Sequence, residues 1–224
     1  MPAPQVRLAR ALEATGKPVV LTLFEGRPRT VRGIADSARA VVLGYQSGPY
    51  GGEAMASVLY GEVNPGGRLP YTYPRTTNDI EHYDRLASAS LAADNSERGY
   101  HPQWDFGHGL SYTSFAYTGL TLDHAERGVR DTVMVSVTVR NSGARAGSEV
   151  VQLYVRQMYA SVDPPMRRLR DFRKITLAAG ETRSVTFALP VSRLAFVGRD
   201  NRMAVEPGEF QVQVGGLVAR LDVQ

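Results

Sequence analysis

The spacing of apolar positions changes twice along this chain. Over Gln5–Ala14, Val6, Leu8, Ala9, Ala11 and Leu12 fall at helical spacing, and Gly16 supplies a stop. Residues 18–24 then form a continuous apolar run of strand length, the pattern of a strand buried on both faces. Arg32–Ala38 reads as a short helix and Ala40–Leu43 as a second buried strand. A further helix runs from about Gly52 to Tyr60 and is closed by Gly61. This strand–helix order implies a parallel sheet with helices packed on it. From Asn64 to about Ser111 periodicity is lost, and Thr76–Arg98 is polar throughout. A loop of that length in a compact domain is usually functional or mobile.

Beyond Ser111 the period becomes two. Val133, Val135, Val137 and Val139 alternate with Met134, Ser136 and Thr138, which marks a half-buried strand. The turn Asn141-Ser142-Gly143 follows. Glu149–Arg156, Thr182–Leu189 and Glu209–Gly215 are strand-like and separated by turn residues such as Ala179-Gly180 and Pro207-Gly208. Short strands at this density fit a β-sandwich. The fold class is therefore α/β plus all-β.

With 224 residues, 43% of them hydrophobic, the chain can bury one large core or two modest ones. No apolar run approaches the ~20 residues of a membrane span, and no secretory leader pattern opens the chain. No membrane partner is expected. The absence of cysteine excludes disulfides and thiolate zinc sites but leaves the compartment open. The formal charge of +4 is mild. Its densest basic run, Arg167–Lys174, has two readings. A nucleic-acid face would need interleaved aromatics. A solvated loop leading into an edge strand, whose charges discourage strand addition, fits better. No nucleic-acid partner is expected. His82, His101, His108 and His124 lack zinc-ligand spacing, Gly44–Gly52 lacks the Lys-Ser/Thr ending of a phosphate loop, and Ser47 is not in a G-x-S-x-G elbow. No metal or cofactor is expected.

Asn64–Pro70 and Phe106–Thr113, with segments on either side of them, resemble glycoside hydrolase family 3 enzymes of the β-glucosidase type. Gly16–Val20 with Glu25-Gly26-Arg27-Pro28, and Gly51–Ala54 with Val58–Gly61, are similar to parts of that family's α/β sandwich domain. Asn64-Pro65-Gly66-Gly67-Arg68-Leu69-Pro70 is close to its NPSGRLP signature. Phe106–Thr113 is close to FGYGLSYT, with His108 where tyrosine is commoner. Val137–Gly143, Glu149–Val155, Arg168–Phe172, Leu177–Glu181 and Val205–Phe210 are similar to the family's appended fibronectin type III-like module. The resemblance covers essentially the whole chain, in order. It implies the C-terminal portion of the α/β sandwich domain at 1–118 and a fibronectin type III-like, immunoglobulin-like β-sandwich at 119–224.

The resemblance also implies a retaining mechanism, which needs two carboxyl groups roughly 5–5.5 Å apart. In the family the nucleophile is an aspartate of an N-terminal barrel, in a Ser-Asp-Trp motif. No such motif occurs here, and the sole tryptophan, Trp104, follows Pro102-Gln103. The acid/base glutamate of many members precedes the helix that here begins near Pro4. The expectation is a C-terminal region of a β-glucosidase-type hydrolase that carries no catalytic residue and is inactive alone. Its substrate, once joined to a barrel, would be a β-linked glucoside or oligosaccharide. By resemblance the full-length protein is periplasmic or secreted.

Gly44, Gly48, Gly51 and Gly52 lie beyond the carboxyl end of a strand, where open α/β sheets place ligand crevices. Tyr45, Gln46, Tyr50 and Glu53 are therefore candidates for the rim of a sugar site completed by another domain. Packing of the tyrosines within the fold, and a simple helix-start acid at Glu53, are the competing readings. Asp79, Glu81, Asp84, Asp94 and Glu97 read as solvated loop acids or pocket lining, and Asp105 as a turn residue. Trp104 and Phe106, near Tyr112 and Phe115, read as packing aromatics. The alternative function is a non-catalytic carbohydrate- or partner-binding or structural module, with Tyr45, Tyr50 and Tyr83 as its aromatic platform. A partial α/β domain would leave its first strand an unprotected edge and expose apolar surface, so homo-oligomers are expected.

Overall fold

A computed structural model describes residues 1–77, 83, 86 and 101–224. The described residues form two compact units. The first takes residues 1–63, 69–77 and 101–108, and the second takes 64–68, 83, 86 and 109–224.

In the first unit, α1 spans Ala3–Glu13. It starts earlier than the apolar spacing suggests because Pro4 fits the first turn, where no N–H is needed. The Thr15 hydroxyl donates to the Leu12 carbonyl at 2.6 Å at the helix end, and Gly16 follows at φ +73°. Strand β1 (Val20–Leu23) pairs in parallel with β2 (Ala40–Leu43) in the register Val20↔Ala40 to Leu23↔Leu43. Between them lies α2 (Arg32–Ala35), and α3 (Gly51–Leu59) follows β2. The core gathers Ala9, Leu23, Val31, Ile34, Leu69 and Tyr73.

Neither strand is buried on both faces, contrary to the apolar runs. Val20 is 46% exposed and Phe24 52%, and β2 is only partly buried. Among the described residues β1 has a neighbour on one side alone, so the core covers only part of the pair. The segments Leu69–Tyr73 and 103–108, which carry no periodic signal, run antiparallel. Leu69 N–H donates to the His108 carbonyl (2.8 Å), Gly107 N–H to Leu69 (2.8 Å), Tyr73 N–H to Trp104 (2.8 Å) and Gln103 N–H to Tyr73 (2.9 Å).

The second unit is a β-sandwich. One sheet contains β3 (Phe115–Leu122), β5 (Thr132–Asn141) and β8 (Thr182–Pro190), with β5 in the middle. The other has the order β4 (Glu126–Arg127), β12 (Leu217–Val223), β11 (Gly208–Val214), β6 (Gly147–Gln157), β7 (Arg168–Leu177). A short 3-10 turn at Val191–Leu194 leads to the small pair β9 (Phe196–Val197) and β10 (Met203–Ala204). The valines of β5 face the core at 1% exposure or less, and their polar neighbours face out. They share one core with Phe187 and Leu189 of the neighbouring strand β8 and with Val151, Leu153, Val212 and Leu221 of the other sheet. Strand β7 lies at the sheet edge, as the basic run predicts, with Arg173 and Lys174 exposed.

Asn141 shows why its turn is specified. Fully buried, it accepts from Thr113 Oγ1 (2.6 Å) and the Gly143 N–H (3.1 Å), and its amide donates to the carbonyls of Arg145 (2.7 Å) and Leu177 (3.2 Å). Every polar position of the side chain is satisfied, as burial demands.

Candidate functional site

The parallel register of β1 and β2 brings two short peptides to the same end of the pair: Phe24-Glu25-Gly26 and Gly44-Tyr45-Gln46. Strand carboxyl ends are where such sheets form crevices. Close approach explains the glycine at 44: a Cβ there would lie 2.8 Å from the Phe24 ring. Gln46 folds over Gly26, where a Cβ would meet Nε2 at 2.5 Å. Tyr45 adopts φ +49°, a left-handed conformation that costs a residue with a side chain about 1–3 kcal/mol.

A polar and aromatic cluster fills this end. Glu25, 8% exposed, accepts a 2.7 Å hydrogen bond from the Tyr73 hydroxyl, which itself accepts the Arg29 N–H at 3.3 Å. Tyr73 meets Trp104 edge-on at 4.9 Å and lies 6.1 Å from Tyr71. Tyr71 meets Tyr45 edge-on at 6.3 Å. Burial raises all three phenol pKa values. For Tyr71, burial and then the negative potential of Tyr45 and Glu25 push it up to about 12. Tyr73 is raised by burial and by its hydrogen bond to Glu25. Tyr45 is raised by burial, with the nearby Tyr71 hydroxyl opposing and Glu25 adding. At neutral pH the cluster therefore presents neutral O–H dipoles, aromatic surface and one carboxyl group. That set suits hydrogen bonding to hydroxyls and stacking on an apolar ring face.

Of the residues singled out by sequence, Tyr45 and Gln46 sit at this strand end. Tyr50 and Glu53 stand exposed at the start of α3, outside the hydrogen-bonded cluster. Glu25, Tyr71 and Tyr73 were not singled out. Trp104 packs in the core of its unit, and the His108 N–H closes a turn onto the Asp105 carbonyl at 3.1 Å. The Tyr83 hydroxyl accepts the Leu169 N–H of β7. Asp79, Glu81, His82, Asp84, Asp94 and Glu97 lie outside the described residues. Among the described residues no three histidines or acids are grouped as metal ligands.

The signature Asn64–Arg68 does other work, within the second unit. Asn64 donates to the Ala146 carbonyl (3.1 Å) and accepts from Ser111 Oγ (3.0 Å) and the Tyr112 N–H (2.8 Å). A Cβ at Gly109 would sit 2.4 Å from the Gly67 carbonyl, so only glycine passes there. Arg68 pairs with Glu149, their side chains 19% and 7% exposed. The other Glu149 oxygen accepts from Tyr117 at 2.7 Å. The Tyr117 pKa is raised by burial first and then by the Glu149 charge, with Arg68 opposing.

The chain matches the model of the glycosyl hydrolase family 3 C-terminal domain over residues 1–112 and that of the fibronectin type III-like domain over 149–218. A β-xylosidase of Formosa agariphila is 38% identical over 94% of this chain and 30% of its own length. A periplasmic β-glucosidase of Salmonella typhimurium is 35% identical, over 99% and 30%. The crystal structure of a Listeria innocua β-glucosidase in complex with isofagomine superimposes with a TM-score of 0.92 at 32% identity, covering 100% of this chain and 33% of that one. The chain thus spans about a third or less of the relatives it matches.

Proposed function

Because the chain belongs to glycoside hydrolase family 3, as a C-terminal region of that family, we propose that it serves in hydrolysis of β-linked glucosides or xylosides by a longer enzyme. In this reading its α/β unit supplies one wall of the sugar site, and the reacting carboxylates come from a barrel domain. Tyr45 and Gln46 form the wall, Tyr50 and Glu53 its outer rim. Tyr45 offers an aromatic face, and Glu25 and the Tyr71 hydroxyl offer hydrogen bonds to sugar hydroxyls. The observation that carries the reading is the likeness over the full chain to β-glucosidases, together with the polar aromatic cluster at the strand ends. The protein is expected to self-associate through apolar side chains exposed on the first unit, among them Leu8, Leu12, Val20 and Phe24.

The test is a chimera in which residues 1–224 replace the matching C-terminal third of the Listeria innocua β-glucosidase. The chimera should hydrolyse an aryl β-glucoside while the 224-residue chain alone should not. In the chimera, Tyr45→Ala should raise KM more than it lowers kcat, the signature of lost binding rather than lost chemistry. Turnover by the chain alone that one carboxylate substitution abolishes would overturn the reading.

A further inference from the structure

We propose that the cluster at the ends of β1 and β2 receives an ammonium group, that of an amino sugar whose amine is free. The proposal rests on the sugar-wall reading above and names its substrate class. Leu23 pairs with Leu43, so Glu25 and Tyr45 stand side by side two residues past the paired strands. Glu25 is 8% exposed and accepts one hydrogen bond, from the Tyr73 hydroxyl to Oε1 at 2.7 Å. Its Oε2 accepts none among the described residues and is not sealed from solvent. A carboxylate has about four acceptor positions, and its burial is costly unless a cation supplies the counter-charge. Glu149 has Arg68 for that purpose. Arg27 and Arg29 are exposed, and among the described residues no arginine or lysine pairs with Glu25. Among those residues Glu25 is also the one carboxyl or guanidinium charge that bears on the phenols of Tyr45, Tyr71 and Tyr73.

Charge and shape select the ligand. An ammonium group brings the missing charge and three N–H donors, whereas a hydroxyl brings one donor and no charge. Cations also bind over tyrosine rings, within about 6 Å of the centroid. Tyr45 and Tyr71 stand at 89° to one another, two walls of a corner, and Tyr45 is 38% exposed. A primary ammonium, unlike a quaternary one, can donate to the open Glu25 oxygen. An N-acetyl group in its place removes the charge and two of the donors. The sugar ring then lies along the wall assigned to Tyr45 and Gln46.

The isotope-labelled 224-residue chain is titrated by NMR with glucosamine, N-acetylglucosamine, glucose and butylamine in separate arms. The pH is held at about 6.5, where aliphatic amines are protonated. Glucosamine should saturably shift the backbone amides of Glu25, Tyr45 and Gln46. It should bind at least about tenfold more tightly than glucose or N-acetylglucosamine, the gain expected of a charge-assisted hydrogen bond. Butylamine, with the charge but no sugar ring, should bind more weakly than glucosamine. Glu25→Gln keeps an acceptor for Tyr73 and removes the charge, so it should erase the preference for glucosamine. Tyr45→Leu, at a part-exposed position, should weaken glucosamine by about threefold through loss of the ring face. Unshifted Val31 and Ile34 signals report that each variant is folded. The proposal is overturned if glucosamine moves none of these amides, if glucose, N-acetylglucosamine or butylamine binds equally well, or if either folded variant binds glucosamine as the parent does. A chimera inactive on aryl glycosides, with the glucosamine preference of the chain intact, would remove the hydrolase reading and leave the ammonium site standing.

Discussion

Among the described residues each unit of this protein buries one glutamate, and the two are handled differently. Glu149 of the sandwich is 5% exposed and is held by a cation, Arg68, and a phenol, Tyr117. Glu25 of the α/β unit is 8% exposed and held by a phenol, Tyr73; among the described residues no lysine or arginine pairs with it. A buried ion pair of good geometry locks a fold, because removing either partner strands the other. A carboxyl group bound only by neutral hydroxyls keeps acceptor capacity for something else. The first arrangement is structural. The second, at a strand end among tyrosines, leaves acceptor capacity that the proposed sugar wall would use.

Breaking the locked pair should have the largest effect. Arg68→Ala leaves Glu149 buried with its phenol alone and should cost about 3–5 kcal/mol, read from urea unfolding of the chain. A loss below about 1 kcal/mol would mean that solvent already screens the pair. Tyr73→Phe removes one hydrogen bond to the Glu25 carboxyl group and should cost about 1.5–3 kcal/mol by the same measurement. The difference between these variants measures directly how differently the two glutamates are held.

Alkaline pH sharpens the comparison next. Tyr71, Tyr73 and Tyr117 have folded pKa values above the ordinary 10.0, so the unfolded chain releases these protons first. Their stabilisation is complete below pH 10 and is lost as pH rises toward the folded values, about 12 for Tyr71. Phenolate absorbance should therefore show these tyrosines titrating late, with stability falling through that window. Tyr117→Phe should flatten the fall while leaving the Tyr71 titration in place. The smallest effect belongs to Tyr45→Gly. It relieves the left-handed backbone but enlarges the freedom of the unfolded chain, so net stability should move by no more than about 1 kcal/mol. Sugar affinity in the chimera should drop all the same.

Legibility from sequence followed the range of the interactions. Strands β5, β6, β8 and β11 are readable because one face of each is buried and the side-chain period is two. In β3 the pattern fails at the shift between Thr118 and Thr121, where Gly119 takes φ +63°. In β12 the exposed Val218 blurs the alternation. The buried look of residues 18–24 misled because apolar content does not say how many neighbours a strand has. Tyr45 and Gln46 were legible from their place after a strand. Glu25, Tyr71 and Tyr73 were not, since Tyr73 reaches Glu25 only through the pairing of 69–73 with 103–108. The family signature at Asn64–Arg68 was visible, but not its job, which is set by Glu149 some eighty positions away.

Residues 64–68 count with the sandwich, while the stretches before and after them count with the other unit. The backbone therefore crosses from one body to the other more than once. No single scissor cut can separate them intact, and a gene splice at any one codon would carry off pieces of both. Shuffling either body into a new protein would demand several simultaneous joins.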